Sequence, residues 1–364
     1  MRLLIDAHCF DHVSPEGVNT YLKGIYTAMP PMAPDVEFFF VSLQGDALAE
    51  VFGKAPNIHY LKLRHHSRPL RLLADYRNLV SDHRIDVAHF QYFAPPLGNC
   101  RTVVTLHDIL FEDFPQNFPA AYRLPRRLLF RHAARRADIL ATVSDYSRRR
   151  IAERYRIPAE DIVVTPNAVA PAFFNIDKEK ARRDIYARGI RPFILNVGRI
   201  EPRKNQLALL QAYHRLGLAD RGYDLVLINR RSIPVPELEH FHNALPEETR
   251  QHIHRIDGLP HEQLPQWYAA ASLFVFPSLG EGFGIPPLEA AAAGTPVVCN
   301  NATALADFSF LGPNLADLTD PQTLDSLILS NLSDPDHQFS TADFPSKYSW
   351  AASASTLLSA LRNL

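Results

Sequence analysis

Cysteine is scarce in this chain. Cys9, Cys100 and Cys299 are the only three in 364 residues, and no two have CxxC spacing. So few thiols exclude a disulfide framework and a thiolate zinc site, and the three read as small buried hydrophobes in a reducing compartment. Neither sign of charge dominates: 38 lysines and arginines meet 39 aspartates and glutamates, for a net charge of -1. A dedicated nucleic-acid binder would carry a clear basic excess, so that class is excluded. No apolar run approaches the length of a membrane span. Met1-Arg2 leads directly into Leu3-Leu4-Ile5, without the apolar stretch and small-residue cleavage site of a secretory leader. The expectation is a soluble, cytoplasmic chain with at most peripheral contact with the inner face of a membrane. No internal repeat of solenoid or propeller period is present. The 16 histidines contain no HExxH pair, and no G-x-G-x-x-G follows any strand candidate. Those two absences argue against a histidine-held metal and a nicotinamide dehydrogenase.

What is present is apolar material for more than one core. At 364 residues and 46% hydrophobic content the chain exceeds the usual size of a single domain, so two are expected. Short apolar runs alternate with helical patterns, the signature of parallel sheets joined by crossover helices. Strand candidates in the first half are Arg2–Asp6, Val36–Ser42, His59–Lys62, Val87–Gln91, Arg101–Leu106, Ile139–Val143 and Ile162–Val164. In the second half they are Phe193–Val197, Asp224–Ile228, His254–Ile256, Leu273–Val275 and Pro296–Cys299. Pro166, Asn167, Pro171 and Asn175 interrupt the pattern and mark a linker near Pro166–Ile176. The expected division is residues 1–170, joined by a C-terminal helix at 346–364, and residues 171–345. Doubly wound halves bind ligands in crevices at the carboxyl ends of their strands, so two facing halves would share one interdomain cleft.

The segment Glu281-Gly282-Phe283-Gly284-Ile285-Pro286-Pro287-Leu288-Glu289 follows a strand and opens a helix. Prolines suit a helix start, where a missing donor costs nothing, and Gly294 suits its end. Gly282 and Gly284 let the backbone approach a ligand, and a helix N-terminus favours an anion or sugar oxygens. Glu281 in the loop and Glu289 in the helix can then reach different parts of one extended ligand. The plain alternative is a helix start with two solvated glutamates. A second segment, Gly198-Arg199-Ile200-Glu201-Pro202-Arg203-Lys204-Asn205, follows the first strand of the second half. Arg199 can clamp phosphate oxygens in pairs and Lys204 can act as a point charge, the two cations a diphosphate needs. A third, Thr105-Leu106-His107-Asp108, ends a strand, and Asp108 is positioned to orient or charge the imidazole. The fourth is the loop Ser14-Pro15-Glu16-Gly17, where Gly17 can offer a backbone N–H to a phosphate.

Taken together these segments resemble the GT4-type family of retaining glycosyltransferases, which have the GT-B fold of two Rossmann-like domains. The Glu281…Glu289 spacing is similar to that family's EX7E signature, and Arg199…Lys204 to its diphosphate pair. Val143-Ser144-Asp145-Tyr146-Ser147-Arg148, Thr165-Pro166-Asn167 and Tyr348-Ser349-Trp350 match further family segments in order. Two departures stand out. Relatives usually show a Gly-Gly pair in the first loop, where this chain has Glu16-Gly17. They often have glycines after the Asp224–Ile228 strand, where it has Asn229-Arg230-Arg231.

The resemblance implies that Arg199 and Lys204 hold the diphosphate and that Glu289 accepts hydrogen bonds from ribose hydroxyls. Glu281 and the backbone of Gly282, Phe283, Gly284 and Ile285 would contact the sugar, with Gly17 near the phosphates and His107 near the sugar. No metal or other cofactor is implied. Asp334-Pro335-Asp336 spells an acidic triplet but lies in a late polar stretch and reads as structural. GDP-mannose is the favoured donor and a glycan or lipid-linked oligosaccharide the acceptor. The alternatives are a UDP-hexose donor and a non-catalytic protein that binds nucleotide sugars.

One feature lies outside the resemblance. Between Arg123 and Arg156, 11 arginines face only Asp138, Asp145 and Glu153. A helix beginning at Pro125 would align Arg127, Arg131 and Arg135 as a basic stripe, with Leu128, Leu129, Phe130 and Ala133 turned mostly away. Such a stripe is either a solvated helix face or a contact for anionic lipid.

Overall fold

In the computed structural model, residues 1–11, 17–334 and 344–364 are described. They divide into two compact units, Met1–Ala168 with Pro345–Leu364, and Val169–Phe344. Ser14, Pro15 and Glu16 of the first loop, and Pro335 and Asp336 of the acidic triplet, lie outside the described residues.

The first unit is built on a seven-stranded sheet, in which every pairing is parallel. Its strands are β1 (Arg2–Asp6), β2 (Glu37–Ser42), β3 (Ile58–Lys62), β4 (Val87–Gln91), β5 (Arg101–Thr105), β6 (Ile139–Thr142) and β7 (Ile162–Val164). Their spatial order is β3-β2-β1-β4-β5-β6-β7. Leu3, Leu4, Ile5, Phe38, Phe40, Val103 and Val104 are fully buried, as strands covered on both faces require. The helix Gly17–Met32 packs Tyr21, Leu22, Ile25, Tyr26 and Met29 into the core. The C-terminal helix Trp350–Arg362 lies against it, so closely that a Cβ on Gly24 would overlap the Trp350 ring. Ser353 Oγ fixes that helix further by donating to the Pro166 carbonyl at 2.7 Å.

The second unit carries a six-stranded parallel sheet in the order β10-β9-β8-β11-β12-β13. These are β8 (Phe193–Ile200), β9 (Asp224–Arg231), β10 (Ile253–Ile256), β11 (Leu273–Phe276), β12 (Val297–Asn300) and β13 (Leu315–Ala316). Leu209, Leu210, Tyr213, Leu225, Leu227, Leu273, Val275 and Val298 form its core. Strand order reverses between β1 and β4 in one unit and between β8 and β11 in the other. The carboxyl ends flanking such a switch point are where doubly wound sheets open a ligand crevice.

Several local expectations need correction. β8 and β9 run three residues further than their apolar cores, because Gly198 pairs with Asn229, Arg199 with Arg230 and Ile200 with Arg231. The two-residue β13 is too short to leave a periodic signal. Cys9 and Cys100 are only partly buried, and Cys299 alone is fully so. The basic helix spans Ala120–Arg136 with Pro125 inside it, so Pro125 does not start it. Its phase also differs from the expectation: Leu124, Leu128 and Leu129 are 63%, 71% and 41% exposed, while Phe130, Ala133 and Ala134 are buried.

Candidate active site

In the second unit the site grows from the ends of β8 and β11. Gly198 has φ +153°, a conformation that favours glycine, and Asn229 Nδ2 donates to its carbonyl at 3.0 Å. Arg199 follows, with a half-exposed side chain whose Nε lies 3.1 Å from Glu201 Oε1. Pro202 then starts one tight turn, and Asn205 at φ +53° passes the chain into the helix Gln206–Arg215. Gln206 Nε2 ties that helix back by donating to the Arg199 carbonyl at 2.8 Å. This short path turns Arg203 and Lys204 inward. Both side chains are nine-tenths buried.

Glu281 is where they converge. Its carboxylate accepts from Lys204 Nζ at 2.6 Å, Ser278 Oγ at 2.5 Å and Arg203 Nη1 at 3.1 Å. Its backbone N–H donates to Thr303 Oγ1 at 2.8 Å. Arg203 Nη1 also donates to the Gly280 carbonyl at 2.6 Å, and its Nε lies 2.8 Å from Glu201 Oε2. Burial pushes the Glu281 pKa up, but Lys204 and Arg203 beside it prevail and hold it at about 2. Burial lowers the Lys204 pKa, opposed by its carboxylate partner. The result is an alternating chain of charge, Arg199–Glu201–Arg203–Glu281–Lys204, along one edge of the sheet.

Gly284, at φ +101°, caps the helix Ile285–Ala292, and no side chain fits there because a Cβ would overlap Leu305. Gly282 and Phe283 are buried in the turn, Phe283 edge-on to Phe308 with ring centroids 5.9 Å apart. Ile285 is half-buried at the first helical position. Glu289 lies inside the helix, 6% exposed, and accepts from Tyr268 OH at 3.0 Å. Burial is the dominant influence and raises its pKa to about 7. The two glutamates are therefore buried and differently charged, not solvated. One is a fixed anion and the other a carboxyl poised near neutrality.

In the first unit His107 sits just past β5 and is 6% exposed. Its Nε2 meets Gln91 Oε1 at 2.7 Å, and its ring is edge-on to Tyr21 with centroids 5.0 Å apart. Burial lowers its pKa to about 3, so the imidazole is neutral. The neighbouring Asp108 carboxylate accepts from the Leu110 N–H at 3.0 Å, and the side chain that holds the His107 ring is Gln91. Gly17 is the first residue of the helix Gly17–Met32, and it is exposed. The structure thus brings Lys204 and Glu281 together, places Arg199 one carboxylate away, and holds Glu289, His107 and Gly17 on other elements. Sequence reasoning missed Glu201 and Arg203 as site members, along with Ser278, Tyr268 and Gln91. Only the alternation of charge in Arg199…Lys204 signalled the first two.

Three arginines of the basic helix are held by neighbours, one of them by a carboxylate. Arg127 Nε lies 3.6 Å from Glu112 Oε2, and Arg135 Nε donates to the Tyr155 carbonyl at 2.9 Å. Arg126 stacks over the Tyr122 ring, 3.5 Å from its centroid. Among the described residues no helix is long and apolar enough to cross a membrane.

Two parallel sheets with a reversal of strand order in each, one flanked by basic side chains and buried carboxylates, define a Rossmann-like class. Sequence comparison narrows it. The model for glycosyl transferases group 1 matches residues 177–340, and that for glycosyltransferase family 4 matches residues 15–173. The O-antigen chain mannosyltransferase B of Escherichia coli is 32% identical over 281 residues, covering 76% of this chain and 71% of that protein. The GDP-mannose-dependent alpha-(1-6)-phosphatidylinositol monomannoside mannosyltransferase of Mycolicibacterium smegmatis is 27% identical, covering 71% and 70%. Among solved structures, sucrose-phosphate synthase from Thermosynechococcus elongatus superposes with a TM-score of 0.77 at 18% identity, covering all of this chain and 98% of its own. HepE from Anabaena, in complex with UDP and glucose, gives 0.73 at 17% identity with both chains fully covered. The chain belongs to the GT4-type family of retaining glycosyltransferases, with the GT-B fold. It is a hexosyltransferase of polysaccharide or glycolipid biosynthesis.

Proposed function

We propose that this enzyme transfers mannose from GDP-mannose, with retention, to a glycan or lipid-linked oligosaccharide acceptor of surface polysaccharide biosynthesis in the cytoplasm. The observation that carries the reading is the buried Lys204–Glu281 pair beside Arg199 at the switch point of the second unit. The E. coli and M. smegmatis relatives are both named mannosyltransferases, the second GDP-mannose-dependent, which supports this sugar and donor. In this reading Arg199 and Lys204 stabilise the departing diphosphate electrostatically in place of a metal. Glu281 and the amides of Gly282–Ile285 hold the sugar, while ionised Glu289 accepts from ribose hydroxyls. His107, neutral, serves the sugar as a hydrogen-bonding partner, and Gly17 serves the phosphates through its N–H. The acceptor attacks the front face of an oxocarbenium-like centre. A thermal-shift panel of GDP-mannose, UDP-glucose and UDP-galactose tests the donor. At 100 times its dissociation constant a ligand stabilises by about 2.7 kcal/mol. Stabilisation by a UDP-sugar and not by GDP-mannose would replace the donor. Stabilisation without any transfer would favour a binding protein.

A second reading concerns the acceptor. Leu124 and Leu128, one turn apart and largely exposed, share the Ala120–Arg136 helix with Arg131 and Arg135. Exposed leucines among arginines suit an anionic bilayer surface better than water. Peripheral contact there would bring the enzyme to a lipid-linked acceptor.

A further inference from the structure

Arg203 is the least accessible cation of the cluster, and its Nε and Nη1 are turned toward carboxylates and a carbonyl of the protein itself. Its Nε lies 2.8 Å from Glu201 Oε2, and its Nη1 reaches Glu281 Oε2 at 3.1 Å and the Gly280 carbonyl at 2.6 Å. The guanidinium therefore bridges two carboxylates. Each of those carboxylates also grips one of the outer cations, Glu201 holding Arg199 and Glu281 holding Lys204. A diphosphate that engages Arg199 and Lys204 must share them with Glu201 and Glu281, its direct electrostatic rivals. Both rivals are buried, at 6% and 7% exposure, so neither is screened by water.

The charge balance follows. Among these five side chains Arg199, Arg203 and Lys204 outnumber Glu201 and Glu281 by three to two, a sum of one positive charge. Without Arg203 the balance is two to two, and an arriving diphosphate meets no net attraction. Each carboxylate then keeps only its outer cation, Glu201 with Arg199 and Glu281 with Lys204, and competes with the phosphates for it undivided.

We infer that Arg203 is a positioning residue for the donor site: it neutralises Glu201 and Glu281 together, and so leaves Arg199 and Lys204 available to a nucleoside diphosphate. This rests on the donor reading of the cluster. Arg203 itself touches neither phosphate nor sugar, and it works by holding the two carboxylates while the outer cations change partners.

Titration calorimetry with GDP, UDP and GMP tests the inference on the full chain, with circular dichroism as the folding control. Arg203→Gln should weaken binding of the diphosphate that the wild type prefers by roughly 10- to 100-fold, the cost of a charge-assisted bond. GMP, with one phosphate fewer, should lose less. Adding Glu201→Gln removes the surplus negative charge while keeping an acceptor for Arg199. The double variant should regain most of the lost affinity, which a merely structural role for Arg203 would not allow. Wild-type binding by Arg203→Gln, or a double variant weaker than the single one, would overturn the inference alone. If Arg203→Gln does not fold, Arg203→Lys decides. Binding within roughly tenfold of the wild type supports charge neutralisation, and loss beyond that refutes it. Wild-type chain that binds neither GDP nor UDP would bring down the donor reading, and this inference with it.

Discussion

Changing Tyr268 to Phe deletes one hydroxyl and tests whether Glu289 meets the donor as an anion. Glu289 is buried with a pKa of about 7, and Tyr268 OH donates to it at 3.0 Å. If ribose hydroxyls bind the carboxylate, donor affinity should rise with pH through 7, because only the ionised form accepts without also donating. A hydrogen bond to a charged group contributes about 1.5–3 kcal/mol, or roughly 1–2 pKa units at 1.36 kcal/mol each. Tyr268→Phe should therefore move the midpoint upward to about 8–9. The assay is calorimetric titration with GDP from pH 5.5 to 9, with Glu289→Gln as the control that shares the phosphate titration but lacks the carboxyl. Stability gives an independent reading. The folded pKa stands above the ordinary value of 4.5. The native state thus binds the extra proton, and stability is present below pH 4.5 and lost as pH rises through 7. The loss is about 3 kcal/mol, so Glu289→Gln should melt higher than wild type at pH 8 and gain little at pH 5. Affinity that does not vary between pH 6 and 8 once the control is subtracted, or a midpoint unmoved in Tyr268→Phe, would refute the argument.

Three further outcomes are expected. Lys204→Ala and Arg199→Ala should each slow sugar transfer by roughly 10- to 100-fold or more. Near-normal turnover in either would remove it from the diphosphate site. Chelation by EDTA should leave transfer intact, and complete loss restored by manganese would make a metal the diphosphate's partner instead. Sedimentation with anionic vesicles should fall on changing Leu124 and Leu128 to Ser, and again on changing Arg127, Arg131 and Arg135 to Glu. Equal partitioning of all three proteins would leave the helix as an ordinary solvated face.

Much of the sheet architecture was readable because parallel strands covered on both faces must be apolar throughout. Leu3-Leu4-Ile5 and Leu273-Phe274-Val275 have no other use. The helix start at Gly284 was readable too, since prolines at the first turn and a glycine in front of them admit few alternatives. Charged residues gave less. Arg199, Arg203 and Lys204 look alike as letters, and only folding decides that the first stays half-exposed while the other two are buried against Glu281. For His107 the hydrogen-bonding partner came not from its chain neighbour but from the adjacent β4, as Gln91, a pairing that only the sheet order sets. The exposed leucines of the basic helix are a matter of phase within the helix rather than of where it starts. Two residues apart on a helix is close to half a turn, so Leu128 and Phe130 cannot share a face, and burial goes to Phe130, Ala133 and Ala134.

The return of the C-terminal helix to Gly24 has a consequence for how the protein is made. The first unit is interrupted in sequence by the whole of the second, so synthesis delivers residues 169–344 before residues 345–364 can complete the sheet they cover. Until Trp350 and Ser353 emerge, the small face around Gly24 and the Pro166 carbonyl lack their cover. The second unit is free to reach its native state during translation, whereas the first must wait in a partly open form. A short truncation at the carboxyl end would therefore act on a unit whose other residues were all synthesised long before.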